Sequence, residues 1–417
     1  MLSVEENELL MRVGPGTPMG NLMRRYWLPA MLSSEVPEPD CAPVRLRLLG
    51  EDLVAFRLTD GKIAVLETYC PHRNANLFWG RNEEDGIRCV YHGWKFNGAG
   101  ECVDMPNEPA TSRFAEKVTV TAYQAEERAG VVFVYMGAQD RTPDVPDFEW
   151  MHMPEAQRYA SKRLQFCNYL QNLEGECDSS HIAFLHRNNL DAGTAASVTQ
   201  GAPVFEVADT DFGLAISARR DAPNDEYYWR ITPFMMPFYT IIPGLGTLTA
   251  AVPSDDETMI GITVSWNPER AFTEQDMRYL QTGPHAEVDE RFMPVRNKAN
   301  DYLIDRQAQK TRSFTGIEGV RVQDMAVQED QRGPLANRAR ERLGTSDQGI
   351  IALRRRLVEQ AKAIENGLEP QEPLHGDWYH VRAVALNAPR AVPWETLASD
   401  NMMPVRIRAE AQGVAGS

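Results

Sequence analysis

Cys70-Pro71-His72 and Cys89-Val90-Tyr91-His92 each offer one thiolate and one imidazole, with sixteen residues between His72 and Cys89. Such mixed pairs suit a [2Fe–2S] centre in which two cysteines hold one iron and two histidines the other. Neutral imidazole in place of thiolate raises the reduction potential relative to a four-cysteine cluster. Two Cys and two His also suit tetrahedral zinc. Zinc fingers, however, usually pair like with like, as C-x₂₋₄-C and H-x₃₋₅-H. The mixing therefore points to one-electron transfer. A second constellation, Asp178-x₂-His181-x₄-His186, follows a run of carboxylates. Two histidines and a carboxylate can hold one metal on one face and leave its other positions open. Asp178 and His181, three apart, would share a helix face. His181 and His186, five apart, would diverge by about 140° on an ideal helix. Both reach one metal only if the helix distorts into a π-type turn or ends between them.

The elements that must position these residues form an α+β protein. With 417 residues the chain is long enough for two domains. Short strand-like runs separated by Gly and Asp-Gly turns fill the stretch from Ala42 to Val134, and both ligand loops hang between them. Gly137 to Asp147, with Pro143 and Pro146, reads as a linker. Beyond it, Cys167–His186 has helical composition, Val204–Val264 reads as a series of strands, and helices resume at Ala299–Gln309 and Asp347–Asn366. In the last, Ile350, Leu353, Leu357, Ala361 and Ile364 make one apolar stripe that reads as core or interface. Ser3-x-x-Glu6 is a helix capping box. The net charge of −16 argues against nucleic acid as a partner. Nothing resembles a signal peptide or a membrane segment. Six cysteines without disulfide-scaffold density point to a reducing cytoplasm.

The flanks Cys70-Pro71-His72-Arg73 and Tyr91-His92-Gly93-Trp94-Lys95-Phe96 resemble the paired loops of Rieske proteins. Followed by Asp178-x₂-His181-x₄-His186, they make the whole chain resemble the catalytic subunit of Rieske non-haem iron oxygenases. The opening Val13-Gly-Pro-Gly-Thr-Pro-Met-Gly20 and Asn300-Asp-Tyr-Leu-Ile-Asp-Arg306 look most like the phthalate dioxygenase and aromatic O-demethylase branch. The resemblance implies a small all-β Rieske domain at 42–136 and a larger catalytic domain at 137–417, with an antiparallel sheet flanked by helices. Residues 1–41 would be a helical segment packed on the catalytic domain. It also implies ligand sets: Cys70, His72, Cys89 and His92 for the [2Fe–2S] cluster, and His181 and His186 for a mononuclear Fe(II). The third iron ligand would be Asp324, with Asp301, Asp305, Glu329 and Asp330 as rivals and helix capping as the alternative role for Asp324. Asp178 would be the catalytic bridge that carries electrons from the His92 side of a neighbouring subunit's cluster to His181.

The same resemblance implies a homotrimer or trimer-based assembly, O₂ as co-substrate, and NAD(P)H electrons delivered through a separate reductase or ferredoxin. No flavin or nicotinamide fingerprint is present in this chain. The substrate expected is an aromatic acid, with O-demethylation of a methoxylated acid preferred and ring cis-dihydroxylation of a phthalate-like acid nearly level. Candidate substrate contacts are Asn172, Arg219, Arg220, Arg230, Met236 and Phe238, the arginines as bidentate partners for a carboxylate. A pure Rieske electron carrier is the alternative, but it would leave about 280 residues without a purpose.

Overall fold

The computed structural model describes residues 2–187, 202–244 and 246–403. Ser3 and Glu6 form the expected reciprocal capping box at the helix Val4–Met11. A six-stranded antiparallel sheet is built from Val44–Leu48, Glu51–Arg57, Ile63–Glu67, Ala122–Arg128 and Val131–Tyr135, closed at one edge by Trp27–Leu32. Its alternation divides two cores. Val54, Phe56 and Leu66 face a small cluster with Ile87, Trp94 and Phe96, directly beneath Cys70 and Cys89. Leu53, Ala55 and Val65 face the main core. One sheet thus anchors the ligand loops on one side and the larger domain on the other. Within residues 1–41, expected as a helical segment packed on the catalytic domain, Trp27–Leu32 is a strand. Its pairing with Val131–Tyr135 makes it part of the six-stranded sheet, while Val4–Met11 and Pro18–Met23 pack on the helix Gln348–Glu365.

The larger domain is an eight-stranded antiparallel sheet running Arg158–Gln165, Met259–Trp266, Thr247–Pro253, Tyr239–Ile242, Glu226–Met235, Gly213–Ala222 and Val204–Thr210. Val384–Pro389 adds to Glu226–Met235. The helices Tyr169–Cys177 and Gln348–Glu365 pack against it. Ile350, Leu353, Leu357 and Ala361 of the predicted stripe are buried in the main core. The expected helix at Ala299–Gln309 is broken instead. Asp301, Tyr302 and Leu303 take left-handed backbone conformations. Asp305 caps the amides of Gln307 and Ala308, so a helix starts only at Arg306. All six cysteines are free, and no helix among the described residues is long and apolar enough to cross a membrane.

Candidate active site and metal centres

The cluster loops are held by their own backbone. The Cys70 amide donates to Ala75 O at 2.9 Å, Cys89 N to Trp94 O at 2.8 Å, and Gly93 N to Cys89 O at 3.0 Å. Gly93 sits at φ +80, and a Cβ there would lie 2.5 Å from Pro106 Cγ, so the turn that brings His92 beside His72 requires glycine. The His72 and His92 rings lie 4.3 Å apart and edge to face, and His72 stacks on Trp94 at 4.4 Å. Cys70 and Cys89 are buried beside each other. Burial, with the adjacent thiol, pushes Cys70 up to about 11, a penalty that bound cations would reverse by stabilising thiolate. His72 Nδ1 is buried with no hydrogen-bond partner, as a lone pair reserved for a metal would be. Among the described residues three or more donors converge within 4.8 Å at two places, and these four residues are neither. Thiols and imidazoles form two separate pairs. A single tetrahedral zinc would need all four donors within about 4 Å of one another. The pairing fits the two irons of a [2Fe–2S] cluster.

His181, His186 and Asp324 do converge. The helix Tyr169–Cys177 ends at Asp178, whose ψ of 104° is extended, and His181–Ala183 forms one 3₁₀ turn before the chain bends again at Phe184. Of the two devices open to residues five apart, the chain uses the helix end, not a π-turn. His181 Nε2 and His186 Nε2 are 3.1 Å apart, and Asp324 Oδ1 lies 3.2 Å from His186 Nε2 and 3.6 Å from His181 Nε2. Three donors on one face of an octahedron, with bonds near 2.1 Å at right angles, are separated by about 3 Å. Asp324 lies inside the helix Val320–Gln328, whose cap is Gly319, so it is not a capping residue. Its rivals are engaged elsewhere: Glu329 accepts from Tyr302 Oη at 2.6 Å, Asp330 pairs with Lys298, and Asp305 caps its helix. Asp301 is not in the converging group.

The charges around this site favour a cation. Burial works to raise the Asp324 pKa, but His186, His181 and Arg321 outweigh it and hold it at about 2. Burial likewise opposes Asp178, yet His181 and the amides of Ser180 and His181 hold it below its usual range. Asp178 Oδ2 faces His181 Nδ1 at 3.6 Å. Arg321 is neutralised by a short ion pair with Glu176. Asp178 and Asp324 thus stay ionised beside the two imidazoles, and Asp324 brings an anionic oxygen to the point on which both Nε2 atoms converge. Gln323, which the sequence reading did not assign, completes the site. Its Nε2 donates to Thr315 Oγ1 and Ile317 O, so its Oε1 is left as acceptor, 2.8 Å from His186 Nδ1. That contact fixes the His186 tautomer with Nδ1 protonated and the Nε2 lone pair aimed at the metal position. The signal was present in principle. A ligating histidine needs an acceptor for its second nitrogen, and Gln323 neighbours Asp324.

Beside the three donors opens a cleft of about 130 Å³, lined among others by Arg230, Thr232, Ile242, Pro243, Tyr279 and Pro284. Of the six residues expected to touch substrate, only Arg230 lines it. Asn172 is buried and donates to Gln328 Oε1, and Met236 and Phe238 are fully enclosed in the main core. Arg219 stacks on Tyr227 at 4.4 Å, near Glu206. Pairing explains the split between the arginines. Ala218 lies opposite Arg230 and Arg220 opposite Tyr228, so Arg220 and Arg230 share a face and Arg219 points to the other. Arg220 sits beneath the cleft and donates to Ser179 O at 2.7 Å. Its pKa falls to about 10 through burial and then through repulsion by Arg230. Arg230 Nε is buried without a partner.

Comparison with known proteins agrees with this geometry. Residues 26–123 match the Rieske [2Fe-2S] domain, and residues 134–401 match the LigXa C-terminal domain like family. The chain is 39% identical to the 3-chlorobenzoate-3,4-dioxygenase oxygenase subunit of Comamonas testosteroni, covering 95% of this chain and 98% of that one. It is 39% identical to the phthalate 4,5-dioxygenase oxygenase subunit of Pseudomonas putida over 88% of each chain. It is 30% identical to the 5,5'-dehydrodivanillate O-demethylase oxygenase subunit of a Sphingobium strain, over 97% and 88% of the two chains. The chain belongs to the Rieske non-haem iron oxygenases, in the branch of the phthalate dioxygenase and aromatic O-demethylase oxygenase subunits. Its cofactors are those of the family, a Rieske [2Fe–2S] cluster and a mononuclear iron, with O₂ as co-substrate.

Proposed function

We propose that this chain is the terminal oxygenase of a multicomponent system that oxygenates an aromatic carboxylic acid with O₂ and electrons from a separate ferredoxin or reductase. The observation that carries the substrate class is Arg230. It is a buried guanidinium with an unpartnered Nε, set in the cleft beside His181, His186 and Asp324, and no carboxylate among the described residues pairs with it. A buried charge without a partner is costly, and a substrate carboxylate would relieve that cost. Ile242, Pro243 and Pro284 give the same cleft an apolar wall for a ring. An iron held by His181, His186 and Asp324 supplies the activation of dioxygen that closed-shell organic molecules lack. The protein's own part is positional. Gln323 holds the His186 ring, Asp178 faces the outer nitrogen of His181, and Arg230 orients the acid.

The resemblance gave a slight preference to O-demethylation of a methoxylated acid, with ring cis-dihydroxylation nearly level. One observation favours ring cis-dihydroxylation instead: both relatives at 39% identity carry dioxygenase names, and the demethylase stands at 30%. A panel of aromatic acids with NADH, a surrogate reductase and O₂ tests the proposal. Formaldehyde release identifies demethylation, and a product heavier by two oxygens and two hydrogens identifies dihydroxylation. No oxygenated product from any acid would sink the substrate class. Arg230→Met is expected to lower kcat/KM for the accepted acid about 10–100-fold, the worth of one charge-assisted hydrogen bond. Its effect on the corresponding methyl ester should be small. Equal losses for acid and ester would remove Arg230 from carboxylate recognition.

The assembly belongs to the same proposal. His72 and His92 sit at a tip where Val90 and Tyr91 are exposed, and Asp178 and His181 border a second concavity with Leu185 and Val327. Seating one subunit's tip in the next subunit's concavity would place His92 near Asp178 and close a trimer. Asp178→Asn is then expected to retain both metal centres while losing at least about 100-fold in turnover. A variant that keeps wild-type turnover, or an active monomer by light scattering, would contradict the bridge.

A further inference from the structure

Outside the active site, donors converge at one other place among the described residues: Asp147, His152 and His380. They come from chain segments 233 residues apart. Asp147 closes the Pro-rich stretch after the Rieske domain, His152 ends the turn Glu149–His152, and His380 follows the turn Gly376–Tyr379. One Asp147 oxygen lies 2.5 Å from His152 Nε2 and the other 3.1 Å from His380 Nδ1. The two rings are roughly parallel, with centroids 5.7 Å apart. We propose that these three residues form a third metal site, for a borderline divalent cation of the zinc type, that clips the C-terminal segment to the start of the catalytic domain.

The argument rests on how the donors are held and what they are. Each follows or lies near a buried aromatic anchor: Phe148 beside Asp147, Trp150 two residues before His152, and Tyr379 beside His380. Tyr379 Oη donates to Met236 O at 2.8 Å, and Phe148 and Tyr379 meet edge to face at 5.6 Å. The Asp147 amide donates to Gly376 O at 2.9 Å, and Arg382 Nε to Glu149 Oε2 at 2.7 Å. The backbone on both sides is therefore fixed before any ion arrives, and binding need not order a loop. Two imidazoles and one carboxylate are donors that zinc accepts readily, with a fourth position left for water. Entry is open, because the His152 and Asp147 side chains are 45% and 43% exposed while His380 is only 8% exposed. The competing account is a carboxylate shared by two imidazole hydrogen bonds, with no ion.

Equilibrium dialysis of the iron-loaded protein against about 10 µM zinc chloride, followed by elemental analysis, separates the two accounts. One zinc per chain with unchanged iron is expected, together with a raised thermal midpoint. His152→Ala, at the exposed position, should weaken zinc uptake at least about tenfold and abolish the thermal shift, while iron content and the [2Fe–2S] absorption stay as in the wild type. His380→Asn should do the same, with the visible spectrum reporting whether it folds. Zinc that enters only as iron leaves, uptake equal in His152→Ala and wild type, or no uptake at all would overturn the proposal.

Discussion

Replacing His186 with alanine is expected to remove the mononuclear iron and with it all coupled turnover, while the two cluster irons and their visible spectrum remain. His186 is buried, its Nε2 stands 3.1 Å and 3.2 Å from the other two donors, and Gln323 holds its far nitrogen. Without it, two donors remain, too few to retain iron through purification. The cluster should not respond, because Cys70 and Cys89 belong to a separate small core on the opposite face of the six-stranded sheet. Iron per chain should fall from three to two, by the stoichiometry of the two centres. Asp324→Ala should behave alike. Gln323→Leu should be milder, because a residue that orients a ligand typically contributes 10–100-fold in affinity or activity, about 1–3 kcal/mol. A third iron retained in His186→Ala or Asp324→Ala would dismantle the proposed ligand set.

Glu174→Ala is expected to destabilise the protein by about 3–5 kcal/mol, the cost of stranding buried charge. Glu174 lies on the helix that ends at Asp178. Its Oε1 accepts from Arg338 Nε at 2.8 Å and Arg354 Nε at 2.6 Å, and its Oε2 from Arg338 Nη2 at 3.2 Å. Arg338 is fully buried and has no other carboxylate partner among the described residues, whereas Arg354 also pairs with the half-buried Glu341. Glu341→Ala should therefore cost only about 1 kcal/mol, and urea or thermal unfolding of the pair of variants measures the contrast. A Glu174→Ala loss no larger than that of Glu341→Ala would show that the network carries little. The acid limb adds a check. Burial raises the Glu174 pKa, but Arg338 and Arg354 overcome this and hold it below its ordinary value of 4.5. A depressed carboxylate contributes stability that is present above the unfolded value and lost as pH falls through the folded one. Wild-type stability should thus decline below about pH 4.5, and Glu174→Ala should show a shallower decline.

How much of this was legible beforehand varies with the physical scale involved. Donor identities at Cys70, His72, Cys89, His92, His181 and His186 are local patterns, and the need for a break between His181 and His186 follows from helix pitch alone. Strands from Ala42 to Val134 and the Ile350–Ala361 stripe followed from periodicity. The strand Trp27–Leu32 did not, because what makes it a strand is an edge partner about a hundred residues away. The helix expected through Ala299–Gln309 failed where Asp305 found a capping role and three residues before it took left-handed conformations. Propensity does not encode such tertiary choices.

The sequence by itself determined the chemistry: which side chains could bind metal, in what mixture, and with which family's loops around them. Tertiary structure decided which of them meet. The resemblance preferred Asp324 over four other acids, and it is the helix Val320–Gln328 that brings it beside the two histidines. Arg219, Arg220 and Arg230 look equivalent in the chain, but strand register turns one away, sets one beneath the cleft and leaves one facing it. Met236 and Phe238, plausible as an aromatic slot, are spent on the core. Gln323, Glu176 and Arg321 gained roles only through contacts with residues more than a hundred positions away. Ligand type is a property of a residue, but convergence within a few ångströms is a property of packing.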